Sequence, residues 1–240
     1  MRNLEELKGI DRYHELIIYR VFNSRKNTVA EARLNKDKRG VIKLFNRRES
    51  MEREYSILSN TTGVSTPKVY SRDDENIILV LEFIDGENLC DVVNNPSVSF
   101  NEKKKLVALL GEWLARFHEE FNMRRGDSIL RNFIVNDRIW GVDFEESTVE
   151  GKIIEDVAEA CISILMTKPM FTDEKKKLCI ELLEAYSMYT PLDLENVDRV
   201  IEEKYLEVVE RREKLLKNGE RKLVDEIQIK NIIDLKKFFC

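Results

Sequence analysis

Asp127 and Asn132 stand five residues apart on an irregular stretch, Arg124-Arg-Gly-Asp-Ser-Ile-Leu-Arg-Asn-Phe-Ile-Val135, and Asp143 closes the apolar run Ile139-Trp-Gly-Val142 eleven residues further on. These are three oxygen-bearing side chains on a segment that reads as a small hairpin, turning at Asn136-Asp137-Arg138. Magnesium prefers carboxylate and amide oxygens and keeps much of its water, so Asn132 with Asp143 is a suitable pair for a phosphate-bound metal ion. Asp127 then remains to orient an acceptor hydroxyl and take its proton. An Asx-turn loop and a strand-end aspartate bonded to nearby backbone would use the same residues for purely local ends.

Lys43 lies within Val41-Ile-Lys-Leu-Phe45, where strand alternation puts it on the face of Val41 and Phe45. It reads either as an edge-strand lysine or as a cation held in a fixed direction to grip phosphate. The second role needs a carboxylate, and Glu54 on the following helix can provide it, with Glu49 and Glu52 as competitors.

These residues must be carried by a folded scaffold, and the composition supports one. The chain has 240 residues, 42% of them apolar, with only 9 Gly and 4 Pro, which suits one sizeable domain or two small lobes and excludes collagen-like or linker-rich architecture. The longest apolar run, Ile77 to Leu81, is far short of the roughly 20 residues that cross a bilayer, and Met1-Arg-Asn-Leu-Glu5 does not open a signal peptide, so a cytoplasmic location and no membrane partner are expected. Cys90, Cys161, Cys179 and Cys240 are scattered, and with His14 and His118 they form no zinc pattern. A net charge of −5 and a pI near 5.4 give no nucleic-acid signature.

Short strands dominate the first 85 residues. Glu15–Phe22, Thr28–Leu34 and Val41–Phe45, separated by polar turns at Asn23–Asn27 and Asn35–Gly40, predict a three-stranded antiparallel meander. Met51, Tyr55 and Leu58 mark a helix face, and further strands are expected at Lys68–Ser71 and Asn76–Ile84. Helices follow. Asn101 can cap one that runs to Phe121 with Leu106, Leu110, Trp113, Leu114 and Phe117 on its apolar stripe, and others are expected at Ile154–Met166, Asp173–Ser187, Leu194–Asn218 and Lys222–Phe239. His118 reads as a helix-end packing or capping residue rather than a base, and the Trp113–Phe117 pair as core.

In this order, over residues 15 to 167, the motifs resemble the protein-kinase-like superfamily, including small RIO-type atypical kinases and aminoglycoside and choline phosphotransferases. The resemblance implies an α+β, two-lobed fold: an N-lobe over 1–85 with a five-stranded antiparallel sheet and one helix, and a mostly helical C-lobe over 86–240. It implies ATP and Mg2+ as cofactors, with Lys43 on the phosphates, Glu54 as its helix partner, and the backbone of Glu82 and Ile84, in Leu79-Val-Leu-Glu-Phe-Ile-Asp-Gly86, at the adenine. Asp127 matches the catalytic aspartate, Asn132 and Asp143 the metal ligands, and Asp156 the aspartate that steadies the catalytic loop.

The departures narrow the expectation. Asn23-Ser-Arg-Lys-Asn-Thr28 replaces the glycine-rich loop, Arg125 the histidine before Gly126-Asp127, and Asp143-Phe-Glu145 the usual D-F-G. Glu145 reads as a further ligand or as an exposed carboxylate, and Arg131 can supply the positive charge that Ile129 lacks. The ten residues after Asp143 hold no activation segment. The sequence therefore points to an ATP-dependent phosphotransferase acting on a hydroxyl, first an atypical Ser/Thr protein kinase, alternatively a small-molecule alcohol kinase, or a pseudokinase scaffold. The charged C-terminal helices are candidates for binding a protein partner.

Overall fold

The computed structural model describes residues 6, 10, 13, 16–22, 24, 26–35, 38–192 and 194–213. His14, the expected strand start at Glu15, parts of both polar turns, the helix expected at Lys222–Phe239 and Cys240 lie outside the described residues. The chain forms two compact units, Met1–Gly86 with Trp140–Ser147, and Glu87–Ile139 with Thr148–Cys240.

In the first unit, strands β1 (Ile17–Phe22), β2 (Thr28–Asn35), β3 (Lys38–Leu44), β4 (Val69–Asp73) and β5 (Ile78–Glu82) make one sheet in the order β1-β2-β3-β5-β4. Neighbouring strands are antiparallel throughout. Alternation sends Ala32, Ile42, Leu44, Ile78 and Val80 to one apolar cluster with Tyr13. Lys43, opposite Val29 on one side and Leu79 on the other, is thereby directed to the other face. It sits on the middle strand, which removes the edge-strand reading. Helix α1 (Arg48–Asn60) buries Met51, Glu54, Ile57 and Leu58, and the spacing of three and four residues puts Glu54 on the buried side.

The second unit contains β6 (Glu87–Asn88), the short helix α2 (Leu89–Asn94), and the long helix α3 (Phe100–Phe121). Its N-cap is Ser99, whose Oγ accepts the Glu102 N–H at 3.2 Å, two residues before the expected Asn101. The left-handed Asn122 (φ +47°) ends it. A 3-10 turn at Leu130–Asn132 and β7 (Phe133–Val135) follow, then, after β8 (Ile139–Gly141) leads into the Trp140–Ser147 segment of the first unit, helices α4 (Ile154–Leu165), α5 (Asp173–Ser187) and α6 (Leu194–Glu213). Trp113 stacks on Phe117 at 5.4 Å and meets Phe133 edge-on at 5.3 Å, so both aromatic residues are core. Helix α4 is apolar almost all round, with Val157, Ala158, Ala160, Cys161, Ile162, Ile164 and Leu165 buried. Such a helix belongs inside a unit.

Gly111 sets the crossing of α3 and α5. A Cβ there would lie 2.5 Å from the Leu182 carbonyl oxygen and 3.0 Å from the Tyr186 nitrogen, both backbone atoms. Helix propensity alone makes Gly111→Ala stabilising by about 1 kcal/mol. The crossing reverses the sign, and a loss of about 1–3 kcal/mol is expected from forced separation of the helices. Urea unfolding of the variant measures it; equal or greater stability would refute the tight crossing.

Candidate active site

A lysine buried in a sheet needs counter-charge, and the first unit supplies it from two directions. The Lys43 Nζ donates to Glu54 Oε2 at 2.6 Å and to Asp143 Oδ1 at 2.6 Å, with the lysine only 4% exposed. Strand β3 aims the ammonium and the buried face of α1 brings Glu54. Asp143 arrives from residues 140–147 with a left-handed backbone, φ +67°, a strained conformation for a non-glycine residue that is common at functional sites. Burial alone would lower the Lys43 pKa, but Glu54, Asp143 and Glu145 outweigh it and raise it. Burial, aided by Asp143 and Glu145, pushes Glu54 up to about 7 against the pull of Lys43.

Glu145 is buried, which removes the exposed-carboxylate reading. Its Oε2 accepts from Asn27 Nδ2, and its carbonyl oxygen accepts from Arg53 Nε at 2.8 Å. The neighbouring Glu146 pairs with Lys26 at 2.5 Å. Residues of the turn between β1 and β2 thus hold the acidic segment after Asp143. Asn27 gave no sequence signal beyond its place in a polar turn.

In the second unit the loop bearing Asp127 and Asn132 is tied through its backbone. Asn132 Nδ2 donates to the Asp127 carbonyl at 2.9 Å, which leaves the amide oxygen of Asn132 as its acceptor end. Arg125, fully buried, donates through Nη1 to the same carbonyl and lies 4.8 Å over the Phe133 ring. A guanidinium here closes the loop on its own carbonyls. Gly126 has φ +87°, open to glycine without strain, and its N–H reaches Asp156 Oδ1 at 2.9 Å. Asp156 Oδ2 accepts from the Arg125 N–H at 2.5 Å and faces His118 Nε2 at 3.0 Å; His118 Nδ1 lies 2.9 Å from the Tyr186 hydroxyl. Burial would raise the Asp156 pKa, but His118 and the two amides hold it below the ordinary value. Its stabilising contribution is therefore complete above that value and is lost as pH falls through the depressed one.

The remaining expected residues take separate places. The Glu82 N–H donates to the Lys68 carbonyl at 2.8 Å, and Ile84 is buried. Arg131 is exposed, and its carbonyl accepts from Asn88 Nδ2 at 2.6 Å. Lys43, Glu54 and Asp143 are brought together in the first unit, Asp127 and Asn132 in the second. Among the described residues no group of three His, Cys, Asp or Glu could hold a metal ion, and no helix is long and apolar enough to cross a membrane.

No protein-family model matches the chain. It is 30% identical over 106 residues to the KEOPS complex subunit Bud32 of Pyrococcus abyssi, covering 43% of this chain and 47% of that protein. It is 24% identical over 147 residues to the "Probable bifunctional tRNA threonylcarbamoyladenosine biosynthesis protein" of Methanococcus vannielii, covering 60% of this chain and 25% of that protein. The matches span about half and a quarter of these curated relatives' own lengths. With the five-stranded antiparallel sheet and the helical second unit, they bear out the likeness to the protein-kinase-like superfamily: the chain is kinase-like, with an α+β fold.

Removing the cation tests the charge cluster. Glu54 has a folded pKa above its unfolded value, so its own contribution to stability falls as pH rises from about 4.5 towards 7. Lys43→Met removes the cation shared by Glu54 and Asp143. The loss relative to wild type should reach about 3–5 kcal/mol in mild alkali and shrink in mild acid, where Glu54 takes up a proton. Urea unfolding at both pH values checks this, and a pH-independent loss would contradict it.

Proposed function

We propose that the chain is an ATP- and magnesium-dependent phosphotransferase acting on a hydroxyl, of the atypical Ser/Thr protein kinase kind. The observation that carries the reading is the buried Lys43 ammonium, held 2.6 Å from both Glu54 and Asp143. A lysine so fixed is directional, which gripping nucleotide phosphates requires. The backbone of Glu82 and Ile84 would contact the adenine, and residues 1–85 and 86–240 would serve as the nucleotide-holding and catalytic lobes.

The donor set fits magnesium. Asp143 offers a carboxylate and Asn132 an amide oxygen, both hard ligands, with Glu145 as a further carboxylate in the same segment. Bound magnesium would screen the charge on the phosphates. Asp127 would align the acceptor hydroxyl and receive its proton, while Arg131 adds positive charge, so catalysis is mainly positioning and electrostatics. The names of the two relatives, one a complex subunit and the other a tRNA threonylcarbamoyladenosine biosynthesis protein, support a setting in which the chain works with protein partners in tRNA modification.

Thermal unfolding with ATP, with and without magnesium, tests nucleotide use. The wild type should be stabilised by about 2.7 kcal/mol at a hundredfold excess over Kd, and Asp143→Ala should lose the magnesium-dependent part. Asp127→Ala should keep that stabilisation yet transfer γ-phosphate about 10²–10⁴-fold more slowly. Autophosphorylation without turnover of metabolite pools supports a protein acceptor. If neither ATP nor magnesium stabilises the wild type, the reading falls.

A further inference from the structure

The loop that carries Asp127 is templated by one helix face. Along α4, Asp156, Glu159 and Ser163 follow at the three- and four-residue spacing of a single stripe, and each accepts backbone N–H groups from that loop. Asp156 takes those of Arg125 and Gly126, Glu159 Oε2 takes that of Ser128 at 2.8 Å, and Ser163 Oγ takes that of Leu130 at 3.0 Å. The phosphotransferase reading uses neither Glu159 nor Ser163.

We propose that Glu159 is a positioning residue for Asp127, fixing through the Ser128 amide the peptide that follows the aspartate and loosening or tightening that hold as it gains or loses a proton. The inference rests on the reading above only for what Asp127 does. Ser128 is fully buried and its hydroxyl has no hydrogen-bond partner among the described residues, while its amide is the donor through which α4 grips this residue. An ionised carboxylate accepts that amide in a charge-assisted bond of roughly twice the strength of a neutral one.

The surroundings keep the ionised form in balance. From the loop, Asp127 opposes the charge on Glu159 and Arg125 favours it; from α4 itself, Asp156 opposes it. From α6, Lys204 and Glu207 border the same small cavity of about 170 Å³, also lined by Ile162 and Val208, and Lys204 is engaged by Glu155 at 3.2 Å and Glu207 at 2.8 Å. Burial is the largest influence, and with Asp127 and Asp156 it raises the Glu159 pKa to about 7 against the Ser128 amide and Arg125. The grip on the loop is then strongest above neutrality and weakens below it.

The experiment combines a spectroscopic and a kinetic readout. In the wild type the Ser128 amide resonance should titrate with a midpoint near 7. Glu159→Gln keeps an acceptor oxygen but no titrating group, so it should fold, leave that resonance flat with pH, and flatten the acid limb of the pH–rate profile. Glu159→Leu removes the acceptor and should lower kcat on the order of 10²-fold with KM for ATP unchanged. A Ser128 resonance that does not titrate in the wild type, or that titrates equally in Glu159→Gln, overturns the inference. If the wild type transfers no phosphate, the proposed function fails instead, and the Ser128 titration still decides whether Glu159 governs the loop.

Discussion

An ammonium group taken out of water must be paired, and the first unit is arranged around meeting that demand for Lys43. An uncompensated buried charge costs several kcal/mol, more than most single contacts can offset. Strand β3 lies in the middle of the sheet, so the Lys43 side chain cannot swing past an edge to solvent. The pairing fixes α1 in rotation, because of its three glutamates Glu54 is the one on the buried stripe with Met51 and Leu58. It also explains why Trp140–Ser147, far along the chain, belongs with the first unit: that segment delivers the second carboxylate.

The second unit meets a related constraint with different groups. Helix α4 is so thoroughly apolar that its few polar side chains must find partners inside the unit. The loop after α3 has the matching need, since its amides at positions 125, 126, 128 and 130 lie outside any regular ladder. Each side satisfies the other. The loop gains a geometry set by helix spacing without being part of a helix, and His118 extends the arrangement by linking Asp156 to Tyr186 on α5.

What was legible in the sequence follows from this. The meander, α1 and the apolar helices are written in local periodicity, and helix α5 runs over the expected residues, Asp173–Ser187. The Lys43–Glu54 pair could be anticipated because strand alternation and helix phase both constrain direction. Glu159 and Ser163 could not, since a carboxylate and a hydroxyl on an otherwise apolar helix resemble ordinary solvated positions until the loop packed against them is known. Short elements such as α2 and β6 lack the length for a periodic signal; they depend on Asn88 capping the Cys90 amide at 3.0 Å and on pairing with β7. His118 is buried near the end of α3, as a helix-end packing residue would be, but its polar bridge depends on residues 38 and 68 positions away.

Two departures from the family pattern turn out to be one physical arrangement. A glycine-rich turn would offer bare backbone between β1 and β2, whereas Lys26 and Asn27 offer side chains, and those side chains engage Glu146 and Glu145. The acidic residues after Asp143 and the polar turn therefore require each other: without Asn27, Glu145 would lose a partner inside the unit, and without Glu145 the buried amide of Asn27 would lose its acceptor. Among the described residues, Lys26 pairs with Glu146, Lys43 with Glu54 and Asp143, and Arg53 with the Glu145 carbonyl, so the segment is tied to the turn, to β3 and to α1 at once.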